Sequence, residues 1–258
     1  MDVRHSMPIE GFVIQSLAPT LLAAADTGFQ PGSSMHYLML LATAIVILLT
    51  SGIGLFLKKR REKNVELRWR HTLGYGCLII YATYEIWLLL PKNFHWPVSL
   101  PLEFCDMGLL VAAGVLLTRI SRLRGLLYFW MCVFTIQAFV TPVLSYSPAT
   151  LDFWLFWSAH IAIAMAAVYD VVVRKFRPTF TDTTRSYAIS VLYAAALVVL
   201  DNLTGWNYGY VGPFKPSTPT LLDALGDYPL RVLWMLLIAA VGFFIAWLPW
   251  AWVKQTKD

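Results

Sequence analysis

Charge is scarce along this chain: 14% of its residues are Asp, Glu, Lys or Arg, 58% are hydrophobic, and the mean hydropathy is +0.62. That shortage excludes an ordinary soluble domain, in which about a quarter of residues are charged. Cysteine is equally sparse. The three present, Cys77, Cys105 and Cys132, all fall inside apolar runs, so a disulfide framework is excluded. The sequence also lacks a Gly-rich phosphate loop, Cys/His pairs at zinc spacing, a solenoid repeat and any low-complexity tract. No metal and no organic cofactor is therefore expected.

Long apolar runs are what the chain has in abundance. A membrane-crossing helix needs about 20 mostly apolar residues, and seven such runs occur, near 36–57, 71–90, 99–118, 125–144, 153–173, 186–203 and 229–253. The expected fold is all-α: a polytopic bundle of seven transmembrane helices over 36–253, in one domain with short loops. Residues 1–35 read as an N-terminal extension, interfacial or disordered, because "FVIQSLAPTLLAAAD" is too short to span and is broken by Pro19. Residues 254–258 form a short tail.

Lys and Arg outnumber Asp and Glu by five, which by itself suggests a nucleic-acid partner, but their placement argues otherwise. Sixteen of the twenty lie in 58–70, 119–124, 174–185 and after 253, which are alternate loops plus the C-terminus. By the positive-inside rule those regions are cytoplasmic and the N-terminus is outside, so the basic residues set topology in the plasma membrane and nucleic acid is not an expected partner.

With that topology each intramembrane polar residue acquires a depth at about 1.5 Å per residue. Cys105 lies ~9 Å and His160 ~10 Å below the outer ends of their helices. Tyr84 and Glu85, Gln137 and Thr141, and Asn202 beside Asp201 reach the same outer layer. Tyr81, Tyr84 and Glu85 follow i, i+3, i+4 spacing and share a helix face. Buried charge in a bilayer is costly, so several helices carrying polar groups at one level imply a common polar cavity. Cys77 and Cys132, without an ionisable partner at their depth, read as packing residues, and Asp170 reads as a local ion pair with Arg174.

A thiol becomes a useful nucleophile as a thiolate, and an imidazole at the same depth supplies the base. Cys105 and His160 are the candidate catalytic pair. Glu103, Asp106 or Glu85 is a candidate to orient the imidazole, and Tyr84, Gln137 or Asn202 a candidate donor to a developing oxyanion. A nucleophile at this level meets the ester region of phospholipids, so membrane lipids are the expected partners.

Several motifs carry a family resemblance: "LPLEFCD" at 100–106, "AFVTPVL" at 138–144, "FWLFWSAH" at 153–160, "RKFRPT" at 174–179, "NLTGWNYGYVGPFKP" at 202–216 and "LLDALGDYP" at 221–229. Together they resemble the YwaF-like bacterial integral membrane proteins, a family similar to the eukaryotic acyltransferase transmembrane protein 164. In that relative a cysteine and a histidine transfer acyl chains to lyso ether phospholipids. The resemblance implies that Cys105 and His160 are their counterparts. It also implies that the 202–216 segment, with Asn202, Asn207, Tyr208 and Lys215, caps the cavity; Asn207, Tyr208 and Lys215 are candidate substrate-binding residues, and Thr141, one turn from Gln137 in the polar layer, is a further candidate. Glu103 stands where the family's motif commonly has His, so a mechanism with a single imidazole is implied.

The expected function is a membrane acyltransferase that moves a fatty acyl chain from a phospholipid to a lysophospholipid through a cysteine thioester. Two readings stand beside it. A lipid hydrolase would use the same pair with water as acceptor, and a small-molecule transporter or receptor would use the polar layer to hold a ligand without chemistry.

Overall fold

A computed structural model describes residues 29–60, 63–118, 120–144, 146–214 and 224–253. Lys215, the tail from 254 and most of the N-terminal extension lie outside the described residues. All of the long elements are helices, and seven of them among the described residues are long and apolar enough to cross a membrane. The chain is a multi-pass membrane protein.

The first span, α1, runs Ser34–Lys59; Ser33 caps it by accepting from His36 N–H at 3.3 Å. The second, α2, covers Lys63–Leu89, eight residues more at its start than the apolar run from 71 suggests. Its charged first turns are anchored from the side: Trp69 Nε1 donates to Thr50 O at 3.2 Å, and Glu66 accepts from Tyr169 Oη at 2.9 Å. Hydropathy cannot see such anchors.

The third run, 99–118, is not continuous. A short helix α3, Trp96–Ser99, ends in extended backbone at Leu100, and α4 starts only at Phe104 and runs to Leu117. Pro101 explains the break, because its ring drives the preceding residue out of the helical region; Leu100 has ψ 145°. Glu103 is the N-cap of α4, and Asp106 closes a capping box by accepting from Glu103 N–H at 3.0 Å.

The fourth span is also interrupted. Helix α5, Ser121–Trp130, passes into a π-helical stretch, Met131–Thr135, before a final turn α6, Gln137–Val140. Each π turn holds an extra residue and rotates the rest of the span away from the α-helical phase. Span five, α7, is unbroken over Leu151–Val172. Span six, α8, covers Phe180–Thr204, starting six residues ahead of the apolar run because Thr179 and Asp182 form a capping box. Span seven, α9, covers Leu230–Trp247 and tightens into a 3-10 turn, Leu248–Trp250, at Pro249.

Helix α7 is the axis of the bundle: 67% of its apolar stretch is buried, against 39% at most for any other span. Small residues allow this. Ala159, Ala162, Ala166 and Ala167 on α7 meet Ala112 and Ala113 on α4 in one buried cluster with Leu109, Leu116 and Ile163. On the opposite side Gly54 of α1 lies so close to Tyr169 that an added Cβ would stand 2.6 Å from the ring. The outward faces stay apolar and exposed, as at Leu48, Leu192 and Leu203, which suits lipid rather than water.

At one end of the bundle the expected Asp170–Arg174 ion pair forms at 2.8 Å, and Arg124 joins it at 2.9 Å. Arg174 also donates to Val115 O, and Lys58 to Val173 O, each at 2.7 Å. These bonds staple three basic segments together. The other end carries the polar layer.

Candidate active site

Cys105 occupies the first turn of α4, and His160 lies on the buried flank of α7. The packing of these two helices through alanines brings the Cys105 sulfur to 3.2 Å from His160 Nε2. The imidazole's other nitrogen, Nδ1, is 2.6 Å from Phe156 O one turn earlier on the same helix. A carbonyl oxygen only accepts, so Nδ1 carries the ring proton of the neutral imidazole. Nε2 therefore presents its lone pair to the thiol. The α4 amino terminus adds partial positive charge beside the sulfur, opposed by the acidic Glu103 and Asp106 on the same turn, so the imidazole is the group placed to take the thiol proton.

Aromatic rings hold the imidazole in place. Phe156 lies against it with centroids 4.2 Å apart, and Phe139 meets it edge-on at 6.4 Å. Phe139 is fixed in turn by His36, whose Nδ1 accepts from Gly32 N–H at 2.9 Å and whose Nε2–H donates to Phe139 O at 2.8 Å. Phe29, within the expected extension, packs on Phe153 and Trp157 beside this clamp.

None of the three carboxylates expected to orient the imidazole bonds to it, and two of them are engaged elsewhere. Asp106 accepts from Glu103 N–H, and Glu103 Oε2 accepts from Gly209 N–H at 3.1 Å. Glu85 is buried, and neither carboxylate oxygen has a hydrogen-bond partner among the described residues; it lies near Asp106 of α4, whose charge acts on it. The orienting acceptor is a backbone carbonyl, available to any helical residue, and so no side chain in the sequence could have signalled it.

The 205–214 loop closes over this region by an internal network. Tyr208 is fully buried and its hydroxyl bridges the α3/α4 break, donating to Trp96 O at 2.6 Å and accepting from Leu100 N–H at 3.0 Å. Burial raises the Tyr208 phenol above its ordinary pKa and keeps it a donor. Asp201 accepts from Tyr208 N–H at 3.1 Å, and Asn207 accepts from Gly212 N–H at 2.9 Å. The buried Arg231 donates to Gly212 O at 2.7 Å and to Phe214 O at 3.2 Å. Tyr208 and Asn207 thus build the cap.

The remaining candidates separate. Tyr84 stays close to Cys105, Glu103 and Asp106. Gln137 is exposed at the start of α6, where the π turn has rotated it away from the α-helical phase, and Thr141 ends that helix half-buried in non-helical backbone. Asn202 is exposed, with its amide nitrogen donating to Val198 O at 2.7 Å and Tyr228 Oη at 2.8 Å. An apolar groove of about 260 Å³ lined by Met107, Leu110, Val111 and Trp130 lies on the far side of α4, about 200° around the helix from Cys105. Cys77 is buried in the α2, α4 and α7 core. Among the described residues no three potential metal ligands come together.

The arrangement sets a thiol against an imidazole of fixed tautomer beneath a hydrogen-bonded cap, within a lipid-facing bundle. A model of the TMEM164 family matches residues 32–247. No curated protein and no solved structure matches the chain.

Proposed function

The chain belongs to the TMEM164 family, and on that footing we propose that it is a membrane acyltransferase working through a thioester on Cys105. The observation that carries this reading is the 3.2 Å contact between Cys105 Sγ and a His160 Nε2 left unprotonated by the Nδ1–Phe156 bond. The Sγ–H proton passes to Nε2 as sulfur adds to the ester carbonyl carbon of a phospholipid. The ester C–O bond then breaks, and the leaving alkoxide takes the proton from Nε2 as a lysophospholipid departs. In the second half an acceptor lysophospholipid hydroxyl gives its proton to Nε2 and attacks the thioester, and the released sulfur recovers the proton.

Location supports lipid as the substrate. With the basic segments cytoplasmic, the N-terminus and the site lie on the outer side of the plasma membrane, where the acyl esters run. The test is a transfer assay in vesicles with an acyl-labelled phospholipid donor and an unlabelled lysophospholipid. Wild type should label the acceptor, and Cys105→Ser and His160→Ala should each lose the label by at least about a hundredfold. Free fatty acid without acylated acceptor would make the protein a hydrolase, and a wild type that releases or transfers no label would overturn the reading.

A further inference from the structure

An ester carbonyl attacked by Cys105 develops negative charge on its oxygen, and a site that accelerates acyl transfer places donors there. The two donors most readily inferred from the sequence do not serve. Gln137 is exposed on the far side of a π turn, and the Asn202 amide is committed to Val198 and Tyr228.

One residue of the cap is built in a way its structural role does not require. Tyr210 has φ +59°, a left-handed conformation that a bulky aromatic side chain rarely adopts and that Gly or Asn would take at lower cost. Its neighbours explain where that backbone goes. Gly209, with φ +63°, gives its N–H to the Glu103 carboxylate and packs in ordinary contact against the Phe104 ring. Both contacts are on the two residues just ahead of Cys105. Tyr210 follows directly on these contacts, and its phenol is within range of the charges of Glu103 and Cys105. Tyr84, on α2, approaches Cys105 from another helix. Tyr84 and Tyr210 are each half-buried, and neither hydroxyl has a hydrogen-bond partner among the described residues.

We propose that Tyr210 is a catalytic residue, its hydroxyl donating a hydrogen bond to the oxyanion formed when Cys105 adds to an acyl carbonyl, with Tyr84 as the second donor. The inference rests on the thioester reading. During addition the carbonyl π electrons move onto oxygen, where the two phenols hold them without transferring a proton. On collapse the electrons return, the ester C–O bond breaks and the phenols are unchanged. Burial pushes the Tyr210 phenol up to about 12, so it remains a neutral donor at physiological pH. The strained backbone places that donor before substrate arrives, which is the preorganisation that makes an oxyanion site effective.

The experiment compares wild type, Tyr210→Phe and Tyr210→Gly in three measurements: transfer from an acyl-labelled phospholipid, Cys105 alkylation by iodoacetamide, and thermal unfolding. Tyr210→Phe should lower the transfer rate by about 10²-fold with KM unchanged. Alkylation at Cys105 should stay within about twofold, because alkylation forms no oxyanion. Tyr210→Gly relieves the positive φ, so it should unfold at or above the wild-type temperature and still be slow in transfer. Wild-type transfer rates in Tyr210→Phe would overturn the oxyanion role while leaving the Cys105 thioester intact. Equal losses in transfer and alkylation would also overturn it, since they would mean that Tyr210 acts on the thiol. A wild type that alkylates readily yet transfers nothing would overturn both proposals.

Discussion

Glu103 Oε2 accepts a hydrogen bond from Gly209 N–H at 3.1 Å, so the residue that caps the Cys105 helix also latches the loop that covers it. The start of α4 and the cap are therefore one mechanical unit. Replacing Glu103 with Ala should free both. Hydrogen exchange at residues 208–212 should rise by about fivefold or more, the equivalent of a lost buried hydrogen bond of about 1–3 kcal/mol. Glu103→Gln keeps an acceptor oxygen and should recover most of the protection. Unchanged exchange in Glu103→Ala would show that the carboxylate does not hold the loop.

The thiols should differ sharply in reactivity. Cys105 is half-buried with an imidazole lone pair beside it, whereas Cys77 is enclosed by the α2, α4 and α7 core. A maleimide at neutral pH should label Cys105 and spare Cys77, and His160→Ala should slow Cys105 labelling by at least about tenfold. Peptide mapping of the labelled protein reads both rates. A thiol indifferent to His160 would return the site to the ligand-binding reading.

His36 should matter without touching substrate. Its Nε2–H bond to Phe139 O fixes the ring that meets His160 edge-on. His36→Leu leaves that carbonyl and the Gly32 N–H without their partner, at a cost of about 1–3 kcal/mol. The unfolding temperature should fall by several degrees, and kcat should fall with little change in KM. An unchanged melting curve would show that the clamp contributes nothing.

Gly54 tests the packing of the central helix. An added methyl would stand 2.6 Å from Tyr169 Cε2, so Gly54→Ala forces the buried ring or its helix to shift and should destabilise by about 1–3 kcal/mol. Shortening the opposing side chain with Tyr169→Leu in the same protein should restore part of the loss. Independent, additive effects of the two substitutions would contradict the contact.

Much of this architecture could be read from composition and period alone. Seven apolar runs became seven spans, since a helix is the ready way to satisfy backbone polar groups in lipid. Counting residues from the helix ends put Cys105 and His160 at one level, and α7 and α4 bring them into contact through their alanines. Other features arise from interactions between distant segments. The α2 start depends on Trp69 and Glu66 finding partners on α1 and α7, and the π turn that moves Gln137 outward has no periodic signature. The break before Phe104 was missed because the hydropathy of 99–118 runs straight through it, and Pro101 is the residue that carries its signal. The roles of Asn207 and Tyr208 as scaffold depend on backbone amides brought close only on folding. Tyr210 carried no signal, because a positive φ is invisible in a residue that rarely adopts one.

Whether the Cys105 sulfur takes an acyl chain with His160 as its base can be read from the intact mass of purified protein after incubation with phospholipid and no acceptor. The expected outcome is a mass increase of one acyl chain that maps to Cys105, is removed by neutral hydroxylamine, and forms far more slowly in His160→Ala. A protein whose mass stays unchanged, or an acyl group found on another residue, would contradict the thioester mechanism.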